Sequence, residues 1–284
     1  CFSHSGRWLF EESEPTAITP DPEIANSLRY ANGTVSSDGS TIYCVQENHL
    51  DPEHILNQIV CFPSDGSIDP RVIFSGTDFV SSPKISPDGL TLTWLSWDHP
   101  NMPWDGTQLH MAQINSDGGL SNRKLIAGGS EESITQPTWS PDGVLHFISD
   151  RSGWWNLYFF ENEEITRLVE LDADFAGPDW QFGFSSYDFM ADSSVICTYK
   201  DRDRDILIKV GREDSVPEKI QNDYSSISDL SVLNDVIYFI GSSPVVPAEL
   251  VSISLAENTI NTLRQSREAT IDASFISEAE FIEF

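Results

Sequence analysis

The sequence feature that most constrains this chain is a turn that recurs at nearly constant spacing. Ser140-Pro141-Asp142-Gly143 lies between an apolar segment ending at Trp139 and a second apolar segment, Val144 to Ser149. Across Asp150 to Gly153 follows an aromatic stretch, Trp154 to Phe160. Proline presets φ at the second turn position and glycine tolerates a positive φ, so the chain reverses cheaply there. Three short extended segments joined in this way form an antiparallel meander. The unit recurs at Ser86-Pro87-Asp88-Gly89, and in worn form at Ser36-Ser37-Asp38-Gly39. Later copies keep only the strand rhythm: Pro178-Asp179-Trp180 leads to Val195 to Tyr199, and Ile227 to Leu233 turns at Asn234-Asp235. Turns at Gly39, Gly89, Gly143, Ser193 and Asp235 are spaced by 50, 54, 50 and 42 residues. A period of about 40 to 50 residues with four strands each predicts an all-β fold, a β-propeller of four-stranded antiparallel blades.

Taken in order, the chain predicts a propeller over residues 1–270 with about six blades and room for a seventh. A partial first blade spans about 1–27, with strands at Arg7 to Glu11 and Thr16 to Thr19. Full blades follow at about 29–76, 78–128, 133–170, 174–221 and 225–264. Residues 271–284 are expected to be an exit strand or linker. An incomplete blade exposes strand edges, which predicts either closure by the tail or association of copies into a homo-oligomer. In a meander whose first strand is innermost, the first-to-second and third-to-fourth turns share one face. Those turns are short and formulaic, as at Asp65-Gly66 and Asp117-Gly118. The other connections are long and chemically rich, so the opposite face is the expected working face.

Composition narrows the partners. Forty-five acidic against sixteen basic residues give a formal charge of −29. Such a field repels nucleic acid and anionic lipid and would draw cationic peptide amino groups towards an opening. No apolar run approaches the roughly 18 residues of a membrane span, and no secretory signal opens the sequence, so a cytoplasmic, soluble protein is expected. The four cysteines, Cys1, Cys44, Cys61 and Cys197, show no metal-site spacing. Cys44 and Cys61 fall on consecutive strands where a disulfide is geometrically open, although free buried thiols suit a chain with no export signal. Asp201 to Asp205 imitates the start of a calcium loop, but Ile206 and Arg212 stand where glycine and glutamate belong. No metal and no cofactor are expected.

Two groups of residues are candidates for a site. Trp97, Asp98, His99, Asn101, Trp104 and Asp105 belong to the long insertion W-D-H-P-N-M-P-W-D-G, and Arg151, Trp154, Trp155 and Asn156 to the loop entering the third strand of the next blade. Each group has two readings. The tryptophans and prolines stiffen long loops, and Asp150-Arg151 forms an inter-blade ion pair; alternatively the polar residues wall a substrate cavity. A cavity wall must itself be rigid, so the readings are compatible.

The string W-D-H-P-N-M-P-W-D, followed by Q-P-T-W-S-P-D-G, S-D-R-S-G-W-W-N-L-Y and P-D-W-Q-F-G, resembles the propeller half of prolyl-oligopeptidase-family serine peptidases. The acylaminoacyl-peptidase and dipeptidyl-aminopeptidase-like branch is the most similar. The resemblance spans about Val80 to Lys200 and weakens on either side. It implies a propeller that caps a C-terminal α/β-hydrolase domain carrying a Ser-Asp-His triad, with short peptides as substrates. These 284 residues hold no G-x-S-x-G elbow, so no catalytic residue is assigned to them. The expectation is therefore a non-catalytic cap for a hydrolase domain absent from these residues. Two alternatives stand beside it: a stand-alone, Tol-type propeller serving as an interaction scaffold, and a propeller lyase or hydrolase with its own pocket.

Overall fold

The computed structural model describes residues 8–9, 16–213, 216–268, 275, 277 and 282, and none of them is α-helical. A two-stranded pair, β1 (Trp8–Leu9) with β2 (Thr16–Ala17), precedes five four-stranded sheets. The first sheet is β3 (Leu28–Val35), β4 (Thr41–Asn48), β5 (Leu56–Pro63) and β6 (Arg71–Phe74), and the second β7 (Phe79–Ile85), β8 (Thr91–Trp97), β9 (Gln108–Ile114) and β10 (Leu120–Gly128). The third is β11 (Ile134–Trp139), β12 (Leu145–Ser149), β13 (Asn156–Glu161) and β14 (Glu164–Arg167). The fourth is β15 (Tyr187–Phe189), β16 (Val195–Asp201), β17 (Arg204–Val210) and β18 (Glu218–Lys219), and the fifth β19 (Ser226–Leu233), β20 (Val236–Ser242), β21 (Glu249–Ser254) and β22 (Thr259–Gln265). Spatial order follows chain order in every sheet, giving the antiparallel four-stranded blade that the turns predicted. Of the expected strand Arg7 to Glu11 only Trp8 and Leu9 are described. Apart from Phe275, Ser277 and Ile282, the tail segments Phe275-Ile276-Ser277 and Phe281 to Phe284 also lie outside the described residues.

The repeated turn owes its recurrence to serine and aspartate as much as to proline and glycine. In all three copies the glycine N–H donates to the serine carbonyl, at 2.8 Å for Gly39 and 2.9 Å for Gly89 and Gly143. Each serine hydroxyl donates to the aspartate carboxylate, at 2.6 Å for Ser36–Asp38 and 2.5 Å for Ser86–Asp88 and Ser140–Asp142. The same hydroxyl accepts the N–H of Thr41, Thr91 or Val144 as the next strand begins. A four-residue string thus satisfies its own polar groups. The Ser36 hydroxyl, with the Ser40 N–H and hydroxyl, holds the Asp38 carboxyl down at about 2.

Contacts group the chain into two compact units, Cys1–Trp139 with Pro178–Phe182 and Ser140–Gly177 with Gly183–Phe284. In the first unit, Tyr43, Val45, Ile59, Cys61 and Phe74 of the first sheet meet Val80, Leu92, Trp94 and Ala112 of the second. The opposite side of the first sheet packs Tyr30, Ile42, Cys44, Val60 and Phe62 against Ile18. Strand alternation thus buries both faces of a blade. In the second unit one cluster joins Ile148, Leu157 and Phe159 to Tyr187, Val195 and Ile208, and another joins Ile196 and Leu207 to Ile237, Phe239 and Val251. Burying each of these side chains contributes about 2 kcal/mol.

Three features differ from the sequence expectation, and the cysteines agree with it. Pro178-Asp179-Trp180 is not an inner strand: that role falls to β15, whose Tyr187-Asp188-Phe189 carries no turn motif before it. Trp154 and Trp155 precede β13 instead of opening it. As the sequence suggested, Cys44, Cys61 and Cys197 are buried and in no disulfide: Cys44 lies opposite Val60 and Cys61 opposite Tyr43, so the two thiols face different cores. Finally, the inner strands β3, β7 and β19 carry a bulge at an equivalent place, with positive φ at Asn32, Ser82 and Asp229 where the register shifts. Such bulges bend and twist a strand, and no single residue type marked them in the sequence.

Candidate functional site

In the first unit the W-D-H-P-N-M-P-W-D-G insertion runs from the end of β8 to the start of β9, and almost every polar group in it is committed to holding its shape. Trp97 stacks on Phe79, with ring centroids 5.3 Å apart and planes 16° from parallel, and the His99 ring meets the same Phe79 edge-on at 4.9 Å. Asp98 accepts the Asp78 N–H at 2.7 Å, and Asp78 in return accepts the His99 N–H at 2.8 Å. Asn101 donates to the Ser130 carbonyl at 2.7 Å, and Asp105 accepts the Met102 N–H at 2.9 Å.

The insertion ends in a buried clamp. Thr107, 1% exposed, donates its hydroxyl to the Ile134 carbonyl at 2.8 Å and accepts the Ile134 N–H at 2.6 Å. A Cβ on Gly128, whose φ is +89°, would lie 1.9 Å from the Thr107 carbonyl oxygen, so only glycine allows this approach. Asp98, Asn101 and Asp105 are therefore ties that rigidify the loop, whereas the exposed ring of His99 keeps its nitrogens unengaged among the described residues.

Trp104 was a candidate from the sequence; its partner was not. Its ring lies 4.3 Å from that of Trp180, which is 72% exposed. The neighbouring Asp179 accepts the Thr135 hydroxyl on one carboxylate oxygen, and the other oxygen is buried with no hydrogen-bond partner among the described residues. Burial pushes the Asp179 carboxyl up, against the opposing effect of Thr135. The signal available in P-D-W-Q-F-G was a pair of large aromatics in a loop with no strand alternation; Trp180 and Phe182 are both exposed.

In the second unit the four candidates separate. Asn156 is fully buried: its amide donates to the Ala173 carbonyl at 3.1 Å and its oxygen accepts from the Arg167 guanidinium at 2.9 Å. Trp155 packs against the core and donates its backbone N–H to the Asp174 carboxylate at 2.9 Å. The Arg151 guanidinium sits 5.2 Å from the centroid of the Tyr158 ring. Trp154 alone presents its side chain at a cleft of about 530 Å³, which it lines with residues 171–174 and 199–202. Asp201 to Asp205 is a hairpin turn, in which Lys200 pairs with Asp205 at 2.7 Å and Asp205 is buried.

One arrangement invites a catalytic reading and does not support it. His110 lies 2.9 Å from the Ser96 hydroxyl, but both are buried in the first unit, the imidazole against Trp94 and Phe74. Burial, with the nearby Arg123, holds His110 down at about 4, and no carboxylate among the described residues orients it. A nucleophile–base pair needs access and an orienting third group. His49 and His54 pair with Glu47 and Asp51, each at 3.0 Å, without a serine.

Comparison with solved structures places the fold. A puromycin-hydrolyzing peptidase of Mycobacterium tuberculosis matches 93% of this chain at a TM-score of 0.86 and 30% identity. A puromycin hydrolase variant complexed with PGG matches 95% at a TM-score of 0.86 and 27% identity. The chain covers 42% of the length of each. A structure from a study of two prolyl endopeptidases matches 91% of the chain at a TM-score of 0.59 and 12% identity, a likeness of fold alone. No protein-family model and no curated protein sequence matches the chain.

Proposed function

We propose, from the premise that this chain is a β-propeller of the prolyl-oligopeptidase family of serine peptidases, that it is the non-catalytic cap of a peptidase, controlling which peptides reach an α/β-hydrolase domain. The observation that carries this reading is the 30% identity over 93% of the chain to a peptidase of which it covers 42%. These 284 residues hold no G-x-S-x-G elbow, so in this reading the nucleophile belongs to the hydrolase domain. The stiff insertion between β8 and β9 suits a wall that filters substrate, because an aperture selects by size only if its rim holds its shape. In this reading the loop-rich ends of the blades face the hydrolase domain, short unstructured peptides pass, and folded proteins do not.

The test joins the chain to a hydrolase domain of this family and measures hydrolysis of aminoacyl and acyl-aminoacyl amides and of peptides of graded length. Loss of length discrimination when the propeller is removed is the expected result. Identical activity and length preference with and without residues 1–284 would refute the cap and favour an interaction scaffold.

A further inference from the structure

We propose that the cleft of the second unit binds an organic cation carried on an apolar or aromatic body. Its volume, about 530 Å³, lies within the range of about 300 to 1,000 Å³ that small-ligand sites occupy. Its walls come from three segments that the fold locks together. Trp154 enters from the loop before β13, residues 171–174 follow β14, and residues 199–202 end β16 and turn into β17. The Trp155 N–H donates to the Asp174 carboxylate at 2.9 Å, the Lys200 N–H to the Asp174 carbonyl at 2.9 Å, and Asn156 to the Ala173 carbonyl at 3.1 Å. The cleft is therefore preformed, and ordering it costs a ligand little.

What the walls leave unengaged defines the ligand. Of the two basic residues on the walls, Lys200 is neutralised by Asp205 at 2.7 Å and Arg202 is not free either, and the Asp174 carboxylate already accepts the backbone N–H of Trp155. The carboxylates of Asp172 and Asp201 have no partner among the described residues, and neither do the Trp154 indole N–H and the Tyr199 hydroxyl. Trp154 is 41% exposed. The Tyr199 hydroxyl is pushed up, first by burial and next by the charge of Asp201, which places that carboxylate near the ring. Two free carboxylates beside two electron-rich rings favour a cation over the ring faces with charge-assisted hydrogen bonds at its edge. An anion would meet the same carboxylates and the field of a chain of net charge −29.

Two sources supply that chemistry: the α-ammonium group of a peptide, and a lysine or arginine side chain. Only the choice between them rests on the peptidase reading, because the cleft is built from this chain alone. Calorimetric titration of the 284-residue chain would use L-phenylalaninamide for the first source, agmatine for the second, and N-acetyl-L-phenylalaninamide as the neutral control. Binding of either cation, weakened about tenfold or more by the paired surface substitutions Asp172→Asn and Asp201→Asn and reduced by Trp154→Ala, is the expected result. Three results would each overturn the proposal: equal binding of the neutral control, unchanged binding by the doubly substituted chain, or no binding of either cation at millimolar concentration. Since no hydrolase domain is present, failure of the cap reading leaves this outcome unaffected.

Discussion

Thr107→Val tests whether the long insertion is held by its clamp. Valine matches threonine in shape but replaces the hydroxyl by a methyl group, and residue 107 is 1% exposed. The Thr107 hydroxyl makes two hydrogen bonds to one residue, donating to the Ile134 carbonyl at 2.8 Å and accepting the Ile134 N–H at 2.6 Å. Each is worth about 1 kcal/mol net, and a buried backbone group left without a partner costs about 1 to 3 kcal/mol. Losing both bonds at buried Ile134 therefore costs about 2 to 4 kcal/mol. Thr107→Ser keeps both bonds and forfeits one methyl group, a loss of about 1 kcal/mol. Urea unfolding followed by tryptophan fluorescence reads the difference as a shift in midpoint, with Thr107→Val expected to be the less stable variant. Valine at 107 as stable as serine would refute the clamp, and with it the argument that the insertion is rigid because Thr107, just before β9, ties its end to β11.

Other consequences follow from the same geometry. Gly128→Ala should be more damaging than an ordinary glycine-to-alanine change, by about 3 kcal/mol or more, because the added carbon meets the Thr107 carbonyl oxygen and φ is positive; a thermal melt would show it. His146 is fully buried, donates from Nδ1 to the Val144 carbonyl, and leaves Nε2 without a partner among the described residues, and burial holds its pKa at about 4 against about 6.5 when unfolded. The unfolded chain therefore binds the proton first, so stability is full above pH 6.5 and falls as pH drops towards 4, by on the order of 3 kcal/mol. Melts from pH 7 to 4.5 should show this loss, and His146→Phe should shrink it. Asp179 has the opposite sign: burial raises its pKa, so its contribution is greatest in acid and is lost as pH rises through the folded value. Asp179→Asn should then equal or exceed the parent in stability at neutral pH, and a marked loss in chemical denaturation would contradict the unpartnered oxygen.

Much of the blade was legible because its information is local. Ser-Pro-Asp-Gly closes hydrogen bonds within a few residues, so the string announces its conformation wherever it occurs and marks the first three of the five sheets. The fourth sheet shows where that logic stops. Without the motif, Pro178-Asp179-Trp180 looks like an inner strand by position, yet β15 takes the place because Tyr187 and Phe189 have apolar neighbours to pack against. The candidate site was legible by region and not by residue. Asn156, which opens β13, and Trp154, in the loop before it, are two positions apart, and one is a buried tie while the other lines a cleft.

The sequence by itself determined the all-β class and the turn chemistry, since each depends on residues close together in the chain. It also determined that no serine-peptidase elbow lies in these residues. Only tertiary structure decided which polar groups are spent. Whether Asn101 holds Ser130, Thr135 meets Asp179, or Cys44 and Cys61 share a face depends on strand register and on contacts between residues 16 to 44 positions apart. Those contacts form where apolar faces pack, and no local pattern encodes which side chain of a neighbouring strand or loop will arrive opposite.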